Sequence, residues 1–294
     1  MRHMLPEEFS LRSLLRDAQY ALVEGPHPER AALDAETLLL HVLRRTAPDR
    51  NRAWLIAHGD DPVTTGIAAE FKSVVERRLM GEPIQYIAGE TEFYGLPFRV
   101  TRDVLVPRRE TEHLVEWVFT LATHFARPRI VDIGTGSGAI AVALARHLRN
   151  AVLTAIDLSE AALALARENA HCNQVEDRIR FLHGDLLTPV AGERFDIIVS
   201  NPPYVPNTDR ALIAVEVREY EPAVALFAGE DGLDIYRRLI PAAYAALVPG
   251  GYIALEMGFT QAAQIESLLS NSGFQSIEFT SDLQGIPRVA SARR

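Results

Sequence analysis

Ser200, Asn201, Pro202, Pro203 and Tyr204 close an apolar run, residues 195–200, that reads as a β-strand. The carboxyl ends of strands in an open α/β sheet are where ligands bind. The Asn201 side-chain oxygen and the Pro202 carbonyl are two neighbouring acceptors, and two successive prolines stiffen the direction of that carbonyl. Such a pair suits the two N–H groups of a planar amide or amino nitrogen. The lone pair of that nitrogen is delocalised, so it reacts only when held facing an electrophile. Transfer of a methyl group to nitrogen fits this demand. Tyr204 can stack on the flat group and line the site of a sulfonium methyl donor. Asn-Pro is also a common turn signal. What lifts the segment above a tight loop is its place behind three further features in chain order.

The first is Asp132-Ile133-Gly134-Thr135-Gly136-Ser137-Gly138-Ala139, a strand end running into a helix. Glycines here let the backbone turn sharply and approach a ligand closely. The second is Asp157, at the end of the next strand and placed to accept from ribose hydroxyls. The third is Gly184-Asp185-Leu186, a second acid where an adenine amino group would sit. Gly134, Gly136 and Ala139 also satisfy the dinucleotide pattern G-x-G-x-x-G/A, so a nicotinamide-dependent dehydrogenase is an alternative at this point. The extra glycine at Gly138 suits a wider loop around an amino-acid-bearing nucleoside. A dehydrogenase has no use for residues 201–204.

These features need a sheet to position them. Apolar strand candidates lie at 130–133, 152–156, 179–182, 195–200 and 251–255, with helical stretches at 138–148, 159–171, 231–247 and 260–272. The alternation predicts a mostly parallel sheet. Residues 274–279 and 288–291 would close it as an antiparallel hairpin. Residues 8–80 read as helices only. Leu11, Leu14, Leu15, Ala18 and Leu22 recur at helical spacing, as do Leu33, Leu38, Leu39, Val42 and Leu43, and then Ile67, Phe71, Val74, Val75 and Leu79. Asp34 and Glu36 fit a solvated face of the second helix. Residues 81–108, with apolar residues alternating around Gly95, read as a linking hairpin. The expected domains are therefore 1–80, 81–108 and 109–294.

Composition excludes several classes. The net charge of −9 argues against broad nucleic-acid binding, which needs a basic face. Asp209, Glu216, Glu219 and Glu221 outweigh Arg210 and Arg218 between residues 204 and 222, a rim that would repel phosphate and suit a basic protein loop. No apolar run approaches the roughly 20 residues of a membrane span, and the N-terminus lacks a signal-peptide core. Cys172 is the sole cysteine and ends a helical pattern, so it forms no internal disulfide and reads as a bystander. A cytoplasmic protein is the default. The histidines, His3, His27, His41 and His58 among them, are scattered, so no metal site is expected.

The sequence resembles the HemK/PrmC family of release factor glutamine methyltransferases over nearly its whole length. The resemblance lies in LDAETLLLHVL (33–43), PIQYIAGETEFYGLPFRV (83–100), VLVPRRETEHLVE (104–116), VDIGTGSGAIAVALA (131–145), FDIIVSNPPYV (195–205), EVREYEPAVAL (216–226), DGLDIYRRL (231–239), PGGYIALEMG (249–258) and GIPRVA (285–290). Asn-Pro-Pro-Tyr alone is shared with other nitrogen methyltransferases, DNA adenine ones included; the linker, Tyr-Glu-Pro and Asp-Gly-Leu segments are more specific. One departure is visible. The family usually reads Pro-Arg-Pro-Glu-Thr-Glu, and Arg109 replaces the second proline, which bears on the local loop shape.

The resemblance implies a class I methyltransferase fold, a Rossmann-like, mostly parallel seven-stranded sheet, with a small all-helical N-terminal domain that docks the substrate. It implies that Gly134, Thr135, Gly136, Ser137 and Gly138 wrap the methionine part of S-adenosylmethionine, that Asp157 binds its ribose, and that Asp185 and Leu186 border its adenine. Asn201 would touch both cofactor and substrate, and Asn201, Pro202, Pro203 and Tyr204 would hold a glutamine amide. The implied substrate is the glutamine of the GGQ motif of class-I peptide chain release factors, methylated by a monomer that makes no direct nucleic-acid contact and releases S-adenosylhomocysteine. Alternatives are a ribosomal-protein glutamine, DNA adenine, which requires base flipping and a basic recognition region, and a non-catalytic module, which would not need Asn201 and Tyr204.

Overall fold

The structure, a computed structural model, describes residues 9–282 and 284–294. The first residues of the expected 1–80 domain, His3 among them, lie outside the described residues. The chain divides into two units, Met1–Gly89 with Ala214–Tyr220, and Glu90–Ile213 with Glu221–Arg294.

The first unit is helical. Strand β1 (Phe9–Ser10) pairs antiparallel with β2 (Pro62–Val63). Helix α1 (Leu11–Val23) starts at Ser10, whose hydroxyl accepts from the Ser13 amide at 3.2 Å. Helices α2 (Ala31–Arg44), α3 (Arg52–Ala57), α4 (Thr65–Leu79) and α5 (Ile84–Ala88) follow. Asn51 and Thr64 cap α3 and α4, and Gly89, at φ 76°, ends α5. Helix α5 thus stands inside the segment expected as a hairpin. Leu11, Leu22, Leu38, Leu39, Leu43 and Phe71 are buried together.

Two expectations for α2 are corrected. Leu33 is 55% exposed, whereas Asp34, expected on the solvated face, is 1% exposed. The buried stripe runs through Ala31, Ala35, Leu38 and Leu39, and Asp34 lies beside it. Its carboxylate tolerates burial because the Arg78 Nε donates to it at 2.7 Å.

The second unit opens with the hairpin of β3 (Glu90–Phe93) and β4 (Leu96–Arg99). Tyr94 and Gly95 turn it, both at positive φ, as a two-residue hairpin loop requires. Helix α6 (Glu110–Ala122) comes next, then β5 (Arg129–Ile133), α7 (Ala139–His147), β6 (Val152–Asp157), α8 (Glu160–Cys172), β7 (Ile179–His183) and β8 (Phe195–Ser200). Short helix α9 (Val215–Tyr220) is the piece that belongs to the helical unit. The chain ends with α10 (Asp234–Ala246), β9 (Leu247–Glu256), α11 (Ala262–Asn271), β10 (Gln275–Ser281) and β11 (Pro287–Arg293).

Seven strands form one sheet in the order β10-β11-β9-β8-β5-β6-β7. Neighbours from β9 to β7 are parallel; β11 is antiparallel to both β9 and β10, the closing hairpin expected from the sequence. From β5 the chain winds outward to β6 and β7 and then crosses back to β8 on the other side. The carboxyl ends of β5 and β8 therefore meet at a topological switch point, where a crevice opens. One core, with Val118, Ile140 and Val142, covers one face of the sheet, and another, with Tyr236, Ile240 and Ile265, covers the other.

Candidate active site

A cleft of about 410 Å³ lies at this switch point, wholly within the second unit. The loop after β5 forms its floor. Gly134, Gly136 and Gly138 all have positive φ, a region side chains disfavour. The Gly134 and Thr135 amides donate to the Ile156 carbonyl at 2.9 and 3.0 Å, tying the loop to β6. Thr135 Oγ1 donates to buried Asp132 at 2.6 Å. Burial, reinforced by the charge of Asp157, pushes the Asp132 carboxyl up to about 7 against the pull of Thr135 and the Ala141 amide. Behind the loop, Asn169 of α8 donates to the Ser137 carbonyl at 2.8 Å and accepts from the Arg99 amide at 2.7 Å, joining loop to hairpin.

Asp157 sits in the cleft wall with both oxygens held. Oδ2 accepts from the Gly136 amide at 2.8 Å and Oδ1 from the Ser159 amide at 2.9 Å. Each oxygen keeps lone-pair capacity toward the cleft. Thr135, Ser137, Asp185 and Leu186 also line it. The Asp185 carboxylate is engaged by Arg238. Gly138 stands apart from the lining. A Cβ there would lie 3.1 Å from that of Ala166, so this glycine serves the close packing of α7 on α8.

On the opposite side the loop after β8 brings Asn201, Pro202 and Pro203 to the cleft. Ser200 Oγ donates to the Ile133 carbonyl at 2.7 Å and locks the two strand ends together. Asn201 Nδ2 donates to Thr111 Oγ1, at the start of α6, at 3.0 Å. Tyr204 is not part of the lining; it packs against the core behind, where burial raises its phenol. Its carbonyl accepts from Gln261 Nε2 at 3.0 Å. Val205 is pinned on both sides, its amide donating to the Leu226 carbonyl and its carbonyl accepting from the Ala228 amide.

The chain matches a family model described as the PrmC N-terminal domain over residues 13–89, and one described as the Methyltransferase small domain over residues 111–217. A relative from Geobacter sulfurreducens, named release factor glutamine methyltransferase, is 41% identical over 288 residues, 98% of each chain. One of the same name from Bordetella pertussis is 42% identical over 264 residues, 90% of this chain and 95% of that one. The chain belongs to the release factor glutamine methyltransferase family. Membership removes the dehydrogenase alternative left open by the glycine loop. Among solved structures, the hMettl16 catalytic domain in complex with the MAT2A 3'UTR hairpin 1 is similar, with a TM-score of 0.56 and 16% identity over 78% of this chain and 80% of that one. That likeness shows the class I methyltransferase fold.

For a member of the release factor glutamine methyltransferase family, the departure at Arg109 leaves the backbone where proline would put it. Arg109 precedes α6 at φ −63° and ψ −31°, values open to proline, and its side chain is exposed. Neighbouring Arg108 lines the cleft and pairs with buried Glu221. This corrects the expected acidic rim: Glu221 is bound to Arg108, and Glu216 pairs with Arg78 and His27 within the helical unit. Sequence reasoning also missed Thr111, Glu256 and Gln261. Glu256 ends β9 2% exposed, and burial pushes its carboxyl up to about 7 against the pull of Thr111 and Asn201 beside it. The signal was the Glu256 carboxylate itself, a charge at the end of an otherwise apolar strand next to the edge that carries Asn201.

Proposed function

We propose that the chain methylates the side-chain amide nitrogen of the glutamine in the GGQ motif of class-I peptide chain release factors. The observation that carries this is the placement of Asn201 and Pro202 on one wall of a cleft whose floor is the glycine loop, in a chain of this family. S-adenosylmethionine supplies an activated methyl group on a sulfonium. The residues present suit it. A Cβ at Gly134 or Gly136 would project into open space, so the backbone leaves room for a ligand laid along the loop. Asp157 is fixed to receive ribose hydroxyls, and Leu186 offers an apolar edge for adenine.

The chain's own contribution is orientation. Asn201 Oδ1 and the Pro202 carbonyl accept the two amide N–H groups, turning the nitrogen lone pair toward the methyl. Two fixed acceptors remove rotational freedom before the reaction, and they stabilise the N–H groups as these become acidic during bond formation. The proton then leaves to water or to one of these oxygens. The helical unit recognises the protein substrate. No described helix is long and apolar enough to cross a membrane. The net charge of −9 argues against direct nucleic-acid contact, and on this reading the chain acts as a monomer in the cytoplasm. The test is label transfer from methyl-labelled S-adenosylmethionine, with release factor, ribosomal protein and duplex DNA offered in parallel. Label is expected on release factor alone and lost when its GGQ glutamine becomes alanine. Label on DNA, or preferentially on ribosomal protein, would overturn the assignment.

A further inference from the structure

An asparagine amide can turn half a revolution with little change of shape, exchanging oxygen and nitrogen. Only one orientation serves the chemistry above, that with Oδ1 facing the cleft. Asn201 Nδ2 donates to Thr111 Oγ1 at 3.0 Å. A hydroxyl does not enforce this choice, because it both donates and accepts. Glu256 enforces it. Its buried carboxyl lies beside both Thr111 and Asn201, and each favours the ionised form. Burial pushes that carboxyl up to about 7, and above that pH it is ionised and only accepts. An acceptor so placed draws the Thr111 O–H, leaving Oγ1 to accept from Asn201 Nδ2 as it does, and repels the Asn201 amide oxygen from facing inward.

We propose that Thr111 and Glu256 are positioning residues that lock the Asn201 amide with Oδ1 presented to the acceptor nitrogen, which rests on the role given to Asn201 above. Packing alone offers no reason for Glu256. The side chain is buried, and its Oε2 meets no hydrogen-bond partner among the described residues. Such a group is costly to hold. Its charged surroundings oppose one another: Glu110 on α6 disfavours ionisation and Arg288 on β11 favours it. Tyr236 on α10 donates to the Glu256 backbone carbonyl at 2.7 Å and fixes the strand end.

Thr111→Val removes the hydroxyl and keeps the shape; Glu256→Gln replaces an acceptor-only group with one that presents either end. Turnover of release factor and calorimetric affinity for S-adenosylmethionine are measured for both, beside Thr111→Ser and Asn201→Ala, with circular dichroism to confirm folding. In both variants kcat is expected to fall roughly 10–100-fold, while cofactor affinity stays within about twofold. Thr111→Ser, which restores the hydroxyl, is expected to turn over within about threefold of the parent. If Asn201→Ala is inactive but Thr111→Val and Glu256→Gln turn over normally, the positioning role is overturned and the role of Asn201 stands. If Asn201→Ala turns over normally, the role of Asn201 falls and the positioning role with it. A loss in Thr111→Val that cofactor affinity shares, or that Thr111→Ser does not recover, assigns Thr111 to packing and overturns the proposal as well.

Discussion

Asp157 has a double task in the cleft wall. Its oxygens hold the Gly136 and Ser159 amides, so they shape the glycine loop and the entry to α8, and on the proposed reading they also offer acceptors to a ribose. Asp157→Ala therefore removes charge-assisted hydrogen bonds and loosens the loop together. The expected loss of affinity for S-adenosylmethionine is roughly 1.5–3 kcal/mol, about 10-fold to 150-fold. Calorimetric titration measures it, and unchanged affinity would remove Asp157 from the site. Asn201→Ala, by contrast, should abolish turnover in a folded chain with the loss in the chemical step; single-turnover kinetics at saturating cofactor locate it, and a normal rate there would contradict the clamp. Asp157 and Asn201 were both legible because each closes a strand with a residue of distinctive chemistry. Thr111 was not. A threonine in the first turn of a helix is ordinary in sequence, and only the fold brings it to Asn201, 90 residues away.

Elements hold these residues through contacts that a one-dimensional pattern cannot display. The Asp-Gly-Leu segment before α10 is an instance. Gly232 has φ 75°, and a Cβ there would come within 2.2 Å of the Tyr204 carbonyl oxygen. That glycine is what allows the loop after β8 to lie flat enough for Gln261, before α11, to grip the same carbonyl. Gly232→Ala is expected to destabilise the unit by roughly 1–3 kcal/mol. It should also lower kcat more than cofactor affinity, because Asn201 and Pro202 shift with Tyr204. Urea unfolding and parallel kinetics check this, and a variant as stable and as active as the parent would refute it. The alternation of strand and helix was readable because β5, β6, β7 and β8 are short apolar runs bounded by turn residues. Helix α6 was not read, although Leu114, Val115, Val118 and Leu121 are buried at helical spacing. Its start is an irregular stretch of arginines and acids, and none of Ser, Thr, Asp or Asn stands at its N-cap. Asp34 was misread because its partner, Arg78, lies 44 residues away, and nothing local reveals that a carboxylate is paired.

At the scale of the whole molecule, the second unit carries a stability cost that its site explains. Asp132 and Glu256 are both buried beside the cleft, and burial pushes each carboxyl up to about 7. The folded state therefore holds protons that the unfolded chain has already released above the ordinary carboxyl range. The sign follows from linkage. Where the folded state binds more protons, stability falls as pH rises, here from the ordinary range up to about 7, and levels off above it. Glu256→Gln stays neutral throughout and removes one share of that decline. Relative to the parent, the variant should gain about 2–3 kcal/mol between pH 5 and pH 8. Trp117, on α6, reports unfolding of this unit, and Trp54, in the helical unit, can be silenced as Trp54→Phe. Urea unfolding followed by Trp117 fluorescence at the two pH values measures the difference, and an equal difference at both would show that the carboxyl titrates alike in folded and unfolded chains. A variant that is more stable at pH 8 and slower in turnover would be what a site retained against its stability cost predicts, since protein stability alone would favour glutamine there.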